Sequence, residues 1–320
     1  MFVAVYFAVV VVAAIGAYVW LAASSVATGG AAWKWIVAFP IAYAAVPLFF
    51  TCFWMFFGWL WRTRAPPEVA MSAAERVRFF LAEYTALLAA PRMIFYALVA
   101  PDPPPASASC PVLLLHGIGC NAGVWSEMRA FLARQRVAPV YAMSYGPPFI
   151  PIPATAPQIA AKIAQIERDT GASQVVIVAH SMGGLVARSY VRAYGSAHVR
   201  RLVTIGTPYA GSMHAWLMTG ASLADMRPGS AYLATLREPT PEEQAVPTVS
   251  IWSWHDTMVT PQDSSRLPYG VNVVLAKIAH NALIGDSRVQ RQVAEEISNA
   301  CAASTNVSPS SAARRQSAPA

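Results

Sequence analysis

Residues 174–190 read QVVIVAHSMGGLVARSY. The apolar run 175–179 ends on His180 and Ser181, and after Met182, Gly183 and Gly184 the pattern turns helical. A short continuous apolar run of this kind fits a buried strand, so Ser181 falls on an abrupt strand-to-helix turn. A hydroxyl is a poor nucleophile unless a base takes its proton and substrate can reach it. A sharp turn lifts the side chain above the sheet, and the first amides of the following helix then face any developing negative charge. Strand and helix can cross so closely only between small neighbours. Ala179 and Gly183 stand two residues either side of Ser181, and Gly184 adds room.

Outward from this turn, strands and helices alternate. VLLL at 112–115 reads as a strand and VWSEMRAFLARQ as a helix. PVYAMSY at 139–145 is a strand, and APQIAAKIAQIERDTG a helix ending at Gly171. Further strands are expected at 199–206, 247–254 and 271–276, with a closing helix at about 286–300. Continuous apolar strands separated by amphipathic helices imply an α/β fold, a mostly parallel central sheet covered on both faces. There is no internal repeat.

The segment A-H-S-M-G resembles the nucleophile elbow of the α/β-hydrolase fold, and more narrowly that of small bacterial lipases and esterases, with Ala179 where the pattern usually has glycine. LLLHGIGCN, residues 113–121, resembles the same families' oxyanion loop. The resemblance implies oxyanion-hole donors at the backbone N–H groups of Ile118 and Met182, and places His116 and Gly117 beside the substrate. His116 and His180 then serve mainly to support the loop and the elbow. The acid and base follow the serine in the order Asp/Glu, then His. His198 precedes a strand, His214 comes before any strand-end aspartate, and His255 adjoins Asp256; His280 follows the last strand and precedes the final helix. Asp225 lies in an insertion and Asp286 comes after His280, which leaves Asp256 and Asp263. Asp256, in WHDTMVTP, fits the family's D-x-x-V-x-P segment and is favoured.

GTPYAGS, residues 206–212, resembles the segment that leads into a lid or acyl-pocket insertion. Residues 209–245 are then that insertion, with Trp216, Leu217, Met218 and Leu223 as candidate acyl contacts. The resemblance covers residues 110–300 and implies a serine hydrolase of carboxylic esters, lipids foremost, that works through an acyl-enzyme on Ser181 without a cofactor. A thioesterase or acyltransferase on the same triad, and a non-catalytic hydrolase-fold membrane scaffold, are the alternatives. No H-E-x-x-H and no carboxylates at ligand spacing point to a metal. Some relatives hold a structural calcium, for which no ligands are assignable here.

The N-terminal region has another character. Hydrophobic residues make up 56% of the 320-residue chain and charged residues 12%, against about a quarter charged in soluble domains. Residues 2–33 and 35–61 carry no charge at all. A span needs about 20 apolar residues, so residues 1–65 are expected to form a two-helix membrane anchor. No Lys or Arg precedes the first run, unlike a signal peptide. Pro40 and Pro47 would kink the second helix, and Trp33, Trp35, Trp59 and Trp61 suit interfacial belts. Lys34 alone stands between the helices, whereas Arg62, Arg64, Arg76 and Arg78 follow the second. The positive-inside rule then puts the catalytic domain on the cytoplasmic side of a bacterial-type inner membrane.

Residues 66–109 hold an amphipathic helix, with capping-box spacing at Ser72 and Glu75, and the Pro-rich linker PDPPPASAS at 101–109. That helix either lies in the membrane interface or packs on the catalytic domain. Residues 301–320 are expected to be a disordered tail. The net charge of +7 is scattered, without a nucleic-acid motif, and suits a surface beside anionic lipid. Cys52, Cys110, Cys120 and Cys301 show neither metal spacing nor a disulfide framework. Two spans without charge offer no transport path, and homo-oligomerisation is left open.

Overall fold

The computed structural model describes residues 2–90, 93, 96, 101–137 and 139–305. The sheet elements are β1 Val112–Leu115, β2 Val140–Met143, β3 Val175–His180, β4 Val199–Ile205, β5 Thr248–Ser253 and β6 Val271–Leu275. They form one six-stranded sheet in the order β2-β1-β3-β4-β5-β6, every pair parallel. The chain moves outward from β1 to β2, then returns past β1 to lay down β3. The carboxyl ends of β1 and β3 therefore flank the point where strand order reverses, which is where parallel sheets hold their ligands.

Strand alternation sends side chains to opposite faces, and both faces are buried. Leu113, Leu115 and Ile177 pack with Ile159 and Ile163 of one helix and Leu185 of another. These helices are Ala156–Thr170 and Met182–Tyr194. Val112, Leu114, Val176 and Val178 pack on the opposite side with Met128, Val289 and Val293, from helices Ser126–Arg134 and Ser287–Thr305. Gly171 ends the first of these helices with φ 74°, a left-handed cap that glycine adopts without a Cβ penalty.

Two boundaries differ from expectation. The final helix runs to Thr305, so the start of the expected tail is helical; residues 306–320 lie outside the described residues. Cys110 and Cys301 form a disulfide with their Cα atoms 5.6 Å apart, where none was expected. The bond joins the residue just before β1 to the last helix across 191 residues, a pairing that local spacing cannot reveal. Residues 101–109 are also less free than a linker: Ala106 and Ala108 donate backbone hydrogen bonds to the carbonyls of Asp169 and Thr170.

Before the sheet come α1 Phe2–Ala27, α2 Ala32–Leu60 and α3 Ala73–Leu88. Of the two expected spans, α2 is long and apolar enough to cross a membrane, whereas the apolar stretch fully described in α1, Val12–Ala27, is shorter than a span. Among the described residues, α2 is thus the one helix shown to be long and apolar enough for a span. Pro40 and Pro47 sit inside it without ending it. The capping box of α3 is formed, with Ser72 accepting from the Glu75 N–H and Glu75 accepting from the Ser72 N–H.

Helix α3 packs on α2 and, through Glu83, on the sheet domain. Against α2, the Tyr84 hydroxyl donates to the Ala44 carbonyl and Tyr43 donates to the Leu88 carbonyl. Val77 and Leu81 are exposed, while Glu83 is fully buried against the sheet domain.

The carboxyl-terminal end of α2 also touches that domain. A Cβ added to Gly58 would lie 2.8 Å from the Thr257 carbonyl oxygen. Trp54 and Trp61 pack on His214 with centroid separations of 5.4 Å each. Trp61 is thus a packing residue, while Trp59 is exposed and carries Arg62 over its ring.

Candidate active site

Ser181 leaves β3 with φ 55° and ψ −126°, a backbone conformation that costs a non-glycine residue free energy and recurs at functional turns. The surroundings hold it there. Its N–H donates to the Ile205 carbonyl, and its own carbonyl accepts from Thr207 Oγ1 and from the Gly184 N–H. The two glycines answer real crowding. A Cβ on Gly183 would sit 2.6 Å from the Leu115 carbonyl oxygen, and one on Gly184 would sit 2.1 Å from Thr207 Oγ1. At Ala179 the methyl group is accommodated in full burial.

His280 Nε2 lies 3.0 Å from Ser181 Oγ across 99 residues of sequence. On the other side of the ring, Nδ1 lies 2.8 Å from Asp256 Oδ2. Asp256 Oδ1 accepts from the backbone N–H groups of Met258 and Val259 at 2.8 and 2.7 Å, so both carboxylate oxygens have fixed partners. All three side chains are buried. Burial by itself would depress the His280 pKa, but the charge and hydrogen bond of Asp256, with a smaller push from the Glu83 charge, raise it above the ordinary histidine value. Asp263, the other candidate acid, instead accepts from Thr63 Oγ1 at an exposed site.

The loop after β1 runs directly beside the serine. A Cβ on Gly117 would lie 2.8 Å from the Ser181 Cβ, and Ile118 shares a cavity with Ser181 and His280. Met182 opens its helix, where the first N–H groups have no partner within the helix. His116 stacks flat on Tyr145 and pairs its Nδ1 with the Gly117 carbonyl at 2.7 Å. Burial pushes its pKa down to about 4, so it is a neutral ring that shapes the loop. His180 packs against His280 with centroids 4.8 Å apart, and burial holds it well below the usual histidine range.

Of the four expected acyl contacts, Met218 and Leu223 line the cavity beside Ser181 and Leu217 does not. Trp216 is 55% exposed, with Arg227 4.5 Å over its ring. The cavity is small, about 30 Å³, and also takes in His214, Met226, Met258 and Val259. The sequence reading missed these four as lining residues. The backbone role of Met258 and Val259 had a local signal, an aspartate bonding the N–H groups that follow it; His214 and Met226 had none. The insertion that supplies half of this wall is fastened down. Glu243 pairs with Arg188 at 2.6 Å and with Arg192 at 2.8 Å, and Leu233 and Leu236 join the core. Among the described residues, no three His, Cys, Asp or Glu side chains converge as a metal site requires.

A buried serine, histidine and aspartate in this order and spacing can pass a proton from the hydroxyl to the imidazole while the carboxylate steadies the charge. Comparison with known proteins bears on the same region. Residues 111–244 match the family model described as alpha/beta hydrolase fold. A triacylglycerol lipase from Pseudarthrobacter phenanthrenivorans is 32% identical over 119 residues, 33% of this chain and 35% of that protein. The match thus spans about a third of this curated relative's length.

Among solved structures, the mature lipase BlEst2 of Bacillus licheniformis aligns with a TM-score of 0.53 at 20% identity, covering 62% of this chain and 95% of that one. Lipase B of Aspergillus fumigatus aligns with a TM-score of 0.50 at 18% identity, over 59% of this chain and 52% of that one. The parallel sheet, the turn at Ser181 and these likenesses together establish that the folded body of this chain has the α/β-hydrolase fold.

Proposed function

We propose that this chain is a membrane-anchored serine hydrolase that cleaves carboxylic esters of lipids. The observation that carries the reading is the 3.0 Å approach of His280 Nε2 to Ser181 Oγ at the strained turn after β3. Ser181 Oγ attacks the ester carbonyl carbon and His280 Nε2 takes the hydroxyl proton. The Ile118 and Met182 N–H groups hold the oxyanion, a contribution of about 10²- to 10³-fold per donor. Collapse of the intermediate expels the alcohol, which receives the proton from His280. Water then attacks the acyl-enzyme with His280 again as base, the acid leaves, and Ser181 regains its proton. Asp256 orients the ring and steadies its charge.

Support for a lipid substrate is the apolar wall of Met218, Leu223 and Met226, together with α2, whose Ile36, Phe49 and Phe56 are exposed as a lipid-facing helix requires. A cavity of about 30 Å³ is too small for an acyl chain. Entry therefore requires the flexible methionines to move, which their unbranched side chains permit. The test is fluorophosphonate labelling with hydrolysis of p-nitrophenyl esters of graded chain length, phospholipids and acyl-thioesters. Labelling and hydrolysis lost in Ser181→Ala, with preference for long-chain esters, are expected. A preference for acetyl esters removes the lipid substrate, preference for thioesters favours the thioesterase alternative, and a silent wild-type protein leaves only a scaffold.

For sidedness, the Cys110–Cys301 disulfide opposes the charge bias, because disulfides persist in oxidising compartments. A disulfide constrains the compartment more strongly than four scattered arginines, so the proposed position of the hydrolase body is the outer face of the membrane. Digestion of that body from outside intact spheroplasts is expected; protection until lysis would return it to the cytoplasm.

A further inference from the structure

Glu83 lies outside the sheet and its loops, on α3, yet it is 0% exposed. Its Oε1 accepts from Thr257 Oγ1 and from Asn281 Nδ2, both at 2.8 Å. Its Oε2 accepts from the backbone N–H groups of Asn281 and Ala282 at 3.0 and 3.2 Å. Thr257 is the residue after Asp256, and Asn281 and Ala282 follow His280. Thr257 Oγ1 also accepts from the His280 N–H at 3.2 Å. One carboxylate thus ties together the two loops that carry the acid and the base.

These four partners all donate, so the geometry suits an ionised carboxylate. Burial pushes the carboxyl pKa up, opposed by the bonds from Asn281 and Thr257 and by the His280 charge. A buried charge is tolerated only when it is this fully coordinated. Two further contacts bring the N-terminal helices to the same place. Gly58 of α2 abuts the Thr257 backbone, and Glu75 at the start of α3 pairs with Lys277 at 2.8 Å, three residues before His280.

We propose that Glu83 is a positioning residue for His280 and Asp256, so that the N-terminal helical segment completes the catalytic machinery as well as attaching it. The proposal rests on the reading of Ser181, His280 and Asp256 as a triad. A displacement of about 1 Å at reacting groups costs about 10²-fold in rate, and Glu83 bonds both loops at once. Glu83 also acts through its charge. The titratable groups facing the His280 ring are Asp256, Glu83, His180 and His214. Of these, Asp256 and Glu83 favour the imidazolium. Removing the Glu83 charge lowers the His280 pKa and moves the acidic limb of kcat/KM to lower pH.

The experiment uses the full-length chain in detergent or vesicles, with Glu83→Gln and Thr257→Val beside the wild type. Gln keeps the shape but sets an NH2 group against converging donors. Val removes the relay to the His280 N–H and leaves the charge. Glu83→Gln is expected to lower kcat by about 100-fold with KM little changed, and to shift the acidic limb downward. Thr257→Val is expected to lower kcat with the limb unmoved.

A folded Glu83→Gln protein with wild-type kcat and an unmoved limb overturns the proposal. So does a loss of activity that only tracks the folded fraction seen in thermal melts. If Glu83→Gln does not fold, wild-type kcat in Thr257→Val overturns it and a reduced kcat supports it. Failure of the wild type to react with a fluorophosphonate is a separate result, which removes the triad reading itself.

Discussion

Asp256 and His280 lie 24 residues apart in sequence and 2.8 Å apart at Oδ2 and Nδ1, with the far carboxylate oxygen fixed by two backbone N–H groups. An aspartate held at both oxygens sets the ring's tautomer as well as its direction: Nδ1 carries the hydrogen, and Nε2 is left to accept from Ser181. Asp256→Asn keeps the shape and reverses that preference. Its kcat for ester hydrolysis is expected to fall by about 10³- to 10⁴-fold. Steady-state kinetics with KM measured in parallel checks this; a loss under tenfold would assign the acid elsewhere.

The pH dependence follows from the same pair. His280 must be neutral to take the serine proton, and Asp256 holds its pKa above the ordinary value, which is about 6.5. Activity is therefore expected to fall as pH drops through a value above that figure, and to be retained on the alkaline side. A pH series of kcat/KM between pH 5 and 9 reads the limb directly. A midpoint below 6 would contradict the assigned environment.

At the turn, the two small-residue positions differ in how much room they leave. Gly183 faces the backbone carbonyls of Leu115 and His116 at 2.6 and 2.7 Å from an added Cβ, and carbonyls of a central strand cannot swing aside. Gly183→Ala is expected to destabilise by about 1–3 kcal/mol and to abolish activity. Ala179→Gly removes only a methyl group that already fits, and is expected to change stability by about 1 kcal/mol with activity retained. Thermal melts and esterase assays of the two proteins make the comparison.

The disulfide supplies a prediction about stability without chemistry. Joining residues 191 apart restricts the unfolded chain strongly, and removing such a bond costs about 2–5 kcal/mol. Cys110→Ala with Cys301→Ala is expected to lower the free energy of unfolding by that amount while kcat stays near wild type, since the bond lies next to the start of β1 and on the last helix. Thiol counting under denaturing conditions should find Cys52 and Cys120 free in the parent protein. Four reactive thiols there would show that the bond does not form.

What could be read without coordinates was what short stretches specify. The turn at Ser181 announced itself through a change of period and three small residues within six positions. Asp256 and His280 were found because this fold fixes their order along the chain. Glu83 was invisible for the opposite reason: one acid on an amphipathic helix reads as its solvated side, and only the loops brought against it make it an interior group. Cys110 and Cys301 gave no signal, because a contact across the whole domain leaves no trace in spacing. His214 reads as an ordinary histidine until Trp54 and Trp61, from a helix far upstream, close over it.

Gly58, Trp54 and Trp61 dock the end of α2 on the hydrolase body, and this sets how the enzyme can meet its substrate. A domain on a loose tether would sweep an area of bilayer and sample lipids at many heights and tilts. Here the cleft is mounted on its own mast, at one elevation and one bearing relative to the helix below. On the proposed function, with α2 spanning a bilayer, lipids would arrive by sideways diffusion, and the section of each molecule level with Ser181 would be the section cut.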